Sequence, residues 1–334
     1  VSAVRTPLRV GLLANPGAGR YALVPEAIRR YQDAFPEHAL YAPEGRFFPS
    51  EVPGVHTILS RASDSECFLE ELSRAVSILV QRCDRLVAFG GDGFFNHICS
   101  RLIDESKTLP FTGIGTGTAN VGVLTQFDSE ELSATLSLET IEPVSPLAIF
   151  RDGEPIGYAF HDIVIGDTFL GTVEGSTRNL SAEKWVVDRV LQPVKPKSLP
   201  IRGEFRVFRG ERPLPMKSAT VAQIIVSPIF KGKEFAGKAI SGLLCFSPYY
   251  AGCFCLALVD RILVEMTTDF PTDGCVIEQY LFREGEALRM EGLSPDHYVI
   301  ADGNPLCPAN GSLRITRSER RVSVLMNPHR FQCF

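Results

Sequence analysis

Three glycine-bearing segments hold the residues best suited to chemistry: Asn15-Pro16-Gly17-Ala18-Gly19-Arg20, Gly90-Gly91-Asp92-Gly93 and Gly115-Thr116-Gly117-Thr118-Ala119-Asn120. Glycine lets the backbone come close to a ligand, and the N–H groups at a helix start attract an anion. Glycines at strand ends also make plain tight turns, so one such segment alone says little. Three of them, one with a carboxylate inside it, point to bound phosphate. Asp92 stands where that phosphate would lie. A carboxylate there is unfavourable unless it binds a metal ion or accepts a proton. Phosphoryl transfer needs both jobs, a Mg²⁺ to neutralise charge and a base to orient the attacking hydroxyl. The other use of such an Asp is to cap the following helix, which is compatible with either. Asn15, Gly17, Gly19, Arg20, Gly90, Gly91, Gly93, Gly117, Thr118 and Asn120 are the candidate nucleotide contacts. Arg20 is equally readable as a solvated charge, and Asn120 as a cap. The first segment lacks the Gly-Lys-Ser/Thr ending of a Walker loop, and the third has only the first half of a GxGxxG fingerprint.

The elements that must position these segments follow from the apolar pattern. Strands are expected at residues 9–14, 55–60, 85–89 and 112–115, and helices at 25–34, from a Ser63 cap through Val80, and at 94–103. This strand-turn-helix rhythm predicts an α/β domain with a parallel, Rossmann-like sheet covered by helices on both faces. Ligands of such sheets sit beyond the carboxyl ends of the strands, where all three segments fall. After Pro143 the pattern changes to short apolar runs between Gly, Pro and Asp turns, among them Leu147–Phe150, Tyr158–Ile165, Ala219–Val226, Gly242–Ser247, Arg261–Met266 and Gly311–Thr316. Only Ser181–Leu191 and Tyr250–Val259 suggest helix. Gln192–Pro200 reads as an extended, mobile linker. The expected organisation is an α/β phosphate-binding domain over 1–142 and a β-rich, antiparallel sandwich-like domain over 143–306. A segment over 307–334 returns to the first domain.

Composition narrows the function classes. The 334 residues suit about two domains, and 45% apolar with 22% charged residues exclude a disordered chain. A net charge of −5 argues against nucleic-acid binding through a basic face. No apolar run reaches the ~18 residues of a membrane-spanning helix, and Leu8–Ala14 is too short for a signal peptide. The nine cysteines contain no CxxC pair, so no structural metal is expected. Most lie in apolar runs and read as reduced core thiols of a cytoplasmic protein.

Asn15-Pro16-Gly17-Ala18-Gly19 resembles the Asn-Pro-x-x-Gly opening shared by NAD kinases and diacylglycerol-type lipid kinases. Gly90-Gly91-Asp92-Gly93 resembles their Gly-Gly-Asp-Gly-Thr signature, and Gly117-Thr118-Ala119-Asn120 their Gly-Thr-x-Asn loop. Within that superfamily the chain is most similar to NAD-kinase-like proteins of the acetoin-catabolism X type. His161-Asp162-Ile163 is similar to the acidic pair of the family's second domain, with His161 where NAD kinases carry Asn. The resemblance implies an ATP-dependent kinase acting in a cleft between the domains on a hydroxyl of a small metabolite, NAD-like or another nucleoside or polyol. It implies ATP and Mg²⁺ at the three loops and catalytic roles for Asp92, Asp162 and His161. It implies no stable membrane association and, by family tendency, a homodimer.

Three departures stand out. Phe94 replaces the Thr of the signature, the Gly-Ser-Thr-Ala-Tyr segment of NAD kinases is replaced by residues 247–252, and Asn304 follows Asp302-Gly303 where lipid kinases carry Glu. A lipid kinase is the first alternative, although the sequence has no basic amphipathic helix. A non-catalytic nucleotide sensor is the second, and Phe94 is the feature that favours it.

Overall fold

A computed structural model describes residues 7–49, 52–59, 67–117, 120–130, 132, 140–199, 205–217, 220–229, 252–267 and 274–327. The chain divides into two compact units. The first comprises Val1–Asn120, Leu124–Val144 and Arg320–Gln332; the second comprises Val121–Val123, Ser145–Glu319 and Cys333–Phe334.

The first unit contains β1 (Arg9–Ala14), α1 (Val24–Ala34), β2 (Ala39–Pro43), β3 (Val55–Ile58), α2 (Phe68–Arg82), β4 (Arg85–Gly90), α3 (Asp92–Asp104), β5 (Phe111–Gly115), β6 (Thr125–Asp128) and β7 (Ile141–Val144). The sheet order is β3-β2-β1-β4-β5, then the strand Val322–Leu325, then β7, with β6 also on β5. All pairings from β3 to β6 are parallel. Alternation along β1 explains the helices on both faces. Val10, Leu12 and Ala14 pack with Val24, Ala27 and Ile28 of α1, whereas Gly11 faces Leu79 of α2. Burying each such Leu or Ile contributes roughly 1.5–3 kcal/mol.

The second unit contains β8 (Leu147–Arg151), β9 (Glu154–Ala159), β10 (Ile163–Gly166), β11 (Thr168–Val173), β12 (Ser176–Ser181), α4 (Ala182–Asp188), β13 (Arg206–Arg209), β14 (Arg212–Pro213), β15 (Gln223–Pro228), β16 (Phe254–Val259), β17 (Ile277–Phe282), β18 (Ala287–Glu291), β19 (Tyr298–Ala301), β20 (Asn304–Pro308) and β21 (Leu313–Arg317); the chain then returns to the first sheet as β22 (Val322–Leu325). Two six-stranded antiparallel sheets, β17-β16-β15-β10-β19-β20 and β14-β13-β18-β21-β8-β9, share one core. Ile163, Ile224, Leu256 and Val299 from the first pack with Ile149, Val207, Leu288 and Ile315 from the second. The first sheet's other face, with Val164, Ile225, Ala257 and Ile300, is covered by Phe169, Leu180 and the half-buried Trp185 of the β11–β12 hairpin and α4.

Several expectations change. Residues 254–259 form a central strand rather than a helix: every side chain is buried because both sheet faces are covered. A continuous apolar run of that length carries no period that separates the two states. Residues 261–266 form no strand. Helix α2 begins at Phe68 after Cys67, whose N–H donates to Glu70 (2.9 Å); the Ser63 start lies outside the described residues. The second unit runs on through β20 and β21 to Glu319, past the boundary placed at 306. Residues 192–199 are held along their length rather than loose: Pro193 bridges to Leu180, Val194 N–H donates to Asn179 O, and Lys197 N–H donates to Asp167. Among the described cysteines, Cys83, Cys99 and Cys255 are buried, but Cys67 and Cys275 are exposed. Burial pushes the Cys83 thiol up to about 12, as an inert core thiol requires.

Candidate functional site

The three glycine segments meet at the carboxyl end of the first unit's sheet. Asn15 N–H donates to Phe89 O (2.8 Å), which ties the turn after β1 to the end of β4. The Asn15 side chain accepts from Gly17 N–H (3.0 Å), an Asx turn that fixes the loop. Thr116 and Gly117 N–H both donate to Gly90 O (2.8 and 2.9 Å), and Arg20 N–H donates to Thr116 O (2.9 Å). At Gly117 a side chain would strike the Gly91 backbone, since an added Cβ would lie 2.9 Å from Gly91 Cα. The third loop therefore presses onto the second. Asn120 takes a left-handed backbone (φ 54°), tolerated by Asn, and its Nδ2 donates to Gly117 O (2.8 Å).

Asp92 is the first residue of α3, and Gly91 holds the cap position. The capping alternative is therefore set aside. Its carboxylate, half-buried, faces β6 and accepts a hydrogen bond from Thr125 Oγ1 (2.6 Å). A carboxylate in the first turn also gains from the helix dipole. Arg20 does not stand as a lone solvated charge. Its guanidinium donates to Gly115 O (3.1 Å) and pairs with Asp128 (3.0 Å), bracing the first loop against β5 and β6. Partial burial pushes the Asp128 carboxyl up, but hydrogen bonds from Arg20 and the Glu130 N–H outweigh it and hold it below the usual range. Gly19 lies in the first loop, Gly90 ends β4, and Gly93 stands in the first turn of α3. Thr118 lies outside the described residues.

In the second unit, His161 and Asp162 fill the gap between β9 and β10, both buried. His161 Nδ1 lies 3.5 Å from Asp162 Oδ2. Their backbone is held by Asp302, at the end of β19. One Asp302 oxygen accepts from Phe160 N–H (2.8 Å) and the other from His161 and Asp162 N–H (2.8 and 2.9 Å). Asp302 N–H returns a bond to Asp162 O (2.9 Å), and Ser227 Oγ donates to His161 O (2.8 Å).

Comparison with known proteins bears on the fold and on part of the first unit. Residues 54–145 match the family described as "Diacylglycerol kinase catalytic domain". An NAD kinase from Archaeoglobus fulgidus, solved in complex with ATP, superposes with a TM-score of 0.51 at 16% identity, over 97% of this chain and 96% of that one. A diacylglycerol kinase from Bacillus anthracis str. Sterne gives 0.55 at 12% identity, over 98% and 99%. The chain shares the fold of these kinases, and residues 54–145 carry the family match. Yeast NADH kinase complexed with NADH shares the fold at 0.52 and 14% identity, over 97% and 84%. An uncharacterised protein of Archaeoglobus fulgidus is 25% identical over 325 residues, covering 94% of this chain and 97% of its own.

The departures from the kinase signature fall in specific places. Phe94 is 4% exposed and points into the interior, stacked on Phe47 with ring centroids 6.2 Å apart. The hydroxyl beside Asp92 comes instead from Thr125, which the sequence reading missed because β6 carries no motif. Asp302 was legible only as part of an Asp-Gly pair, not as the anchor of residues 160–162. For Mg²⁺, which favours oxygen donors and a carboxylate plus phosphates, Asp92 is the suitable residue. Among the described residues, one group of three side chains could converge on an ion, His161, Asp162 and Asp302, with donor atoms within 4.8 Å of one another. It fits Mg²⁺ poorly: one donor is an imidazole, and the Asp302 oxygens already accept three backbone N–H groups.

Proposed function

We propose that the protein is an ATP-dependent kinase that phosphorylates a hydroxyl group of a small molecule. The observation that carries this reading is the convergence of three glycine loops around the head of α3, where Asp92 starts the helix. Backbone N–H groups there suit phosphate, and the helix N-terminus adds favourable potential. A chain with a net charge of −5 can hold a polyphosphate in this way without a basic surface. Asn15, Gly17, Gly19, Gly90, Gly91, Gly93, Gly117, Thr118 and Asn120 form the nucleotide loops, and Arg20 braces them. When bound, Mg²⁺ neutralises phosphate charge, with Asp92 as its residue on this chain.

In the reaction the acceptor oxygen bonds to the γ-phosphorus while the bond from that phosphorus to the β–γ bridging oxygen breaks. ADP leaves, and the hydroxyl proton passes to a carboxylate, for which Asp92 is the candidate. His161 and Asp162 are proposed acceptor-binding groups, supported by their burial and by the backbone that Asp302 fixes. The acceptor reading kept first is a nucleoside, dinucleotide or polyol. Diacylglycerol is the second, favoured by the family matched at residues 54–145; Asn304 in place of the lipid kinases' Glu weighs against it.

Asp92→Asn tests the assignment. The amide oxygen can still accept from Thr125, so the fold stays intact. Turnover of ATP with the acceptor should fall by about a hundredfold or more. Undiminished turnover removes Asp92 from the reaction.

A further inference from the structure

We infer that Thr125 is a positioning residue for Asp92, supplying from β6 the hydroxyl that residue 94 does not. The inference rests on the kinase reading above. Thr125 is 1% exposed, and its Oγ1 lies 2.6 Å from Asp92 Oδ1. A bond of that length to a carboxylate is charge-assisted and among the stronger ones available to a hydroxyl. Asp92 sits at the first turn of α3 with glycine on either side. The hydroxyl from β6 holds its carboxylate in one orientation.

The close approach that makes this contact is built into the sheet. Thr125 pairs with Gly113 of β5, and the ladder is irregular just beyond that pair. A Cβ on Gly113 would lie 2.1 Å from Leu124 O and 2.9 Å from the Phe95 ring. Only glycine lets the start of β6 lie this near β5 and the head of α3 at once. Meanwhile Phe94, which follows Gly93 in place of a hydroxyl residue, is buried against Phe47, and Phe47 meets Phe68 edge-on at 5.0 Å. That aromatic cluster takes up residue 94, and the hydroxyl at Asp92 comes from β6. Asp92 thereby keeps a fixed carboxylate although the signature Thr is gone. The sensor reading that Phe94 favoured loses its main support.

The test compares Thr125→Val, which keeps the shape and removes the donor, with Thr125→Ser, which keeps the donor. Labelled ATP is supplied with NAD⁺, adenosine or diacylglycerol in phosphatidylcholine vesicles as acceptor. The expected result is a loss of about ten- to a hundredfold in kcat for Thr125→Val, with the KM for ATP within about twofold of the parent. Thr125→Ser recovers most of the loss. Thermal melting keeps the fold in view. Full turnover by Thr125→Val overturns the inference, and so does an equal loss in both variants that follows a fall in Tm, since that is a structural role. If the unaltered protein transfers phosphate to none of these acceptors while binding ATP by calorimetry, the kinase reading fails, and the inference with it. That failure appears in the parent, not in the variants.

Discussion

In the first unit, the loops at 15–20, 90–93 and 115–120 are stitched together by main chain. Gly90 O takes two N–H bonds, Thr116 O takes one, and Gly117 lies directly on Gly91. In the second unit, the corner at residues 160–162 hangs on one side chain, Asp302, about 140 positions later in the sequence. The first arrangement depends on small residues, and under the proposed function it presents backbone N–H groups and Asp92 to phosphate. The second spends a buried carboxylate on holding backbone in place. A loss of function without loss of fold is therefore expected in the first region, and the reverse in the second.

The largest effect should come at Gly113, where the two demands meet. Gly113→Ala places a carbon 2.1 Å from a backbone oxygen, and the clash should cost about 3 kcal/mol or more. Denaturant unfolding measures it, and an unchanged midpoint would mean that β6 can move away freely. Next in size, Asp302→Asn turns one acceptor oxygen into a donor that faces backbone N–H. A loss of about 2 kcal/mol is expected, with ATP affinity at the first unit's loops unchanged by calorimetry. A variant that is as stable as the parent but binds no ATP would reverse the contrast. Smaller still, the Arg20–Asp128 pair has side chains 35% and 37% exposed. A double-mutant cycle with Arg20→Gln and Asp128→Asn should give a coupling of about 0.5–1 kcal/mol.

The smallest effect is on pH. Burial lowers the pKa of both His38 in the first unit and His297 in the second, despite nearby carboxylates that raise it. The unfolded chain then binds protons below about pH 6.5 while the folded one resists them. The stability given by the neutral folded form is present above that pH and is lost as pH falls towards the depressed values. Melting curves should show Tm falling on mild acidification, and His297→Gln should flatten that slope. A Tm that rises on acidification would contradict the burial of these rings.

How much could be seen in the sequence follows the same contrast. The loops and their strands were legible because each is local: an apolar run, glycines, then a helix. Asp92 stood out in the sequence because a carboxylate between glycines has few uses, and the structure places it at the head of α3. Thr125 and Asp302 were not assigned roles, because both act across strand pairings that no window of sequence contains. Residues 254–259 suggested helix because a strand covered on both faces loses the alternation that marks it. Residues 192–199 looked loose because prolines signal extension, while the bonds to Asn179 and Asp167 that hold them come from distant segments. Phe94 was read as a missing hydroxyl; the packing partner that explains it, Phe47, lies in a loop without regular structure.

The strand Val322–Leu325 lies between β5 and β7, and Asn327 then donates to Gln126 by both backbone and side chain. During synthesis the glycine loops leave the ribosome some 200 residues before the strand that closes their sheet, as the separation of Gln126 and Asn327 shows. Until then β7 has no partner there, and such open edges invite pairing with other chains. The first half of the gene product, expressed by itself, would therefore be a poor source of soluble nucleotide-binding protein. A premature stop anywhere in the second unit would leave a chain exposed to chaperones and proteases rather than a half-working enzyme.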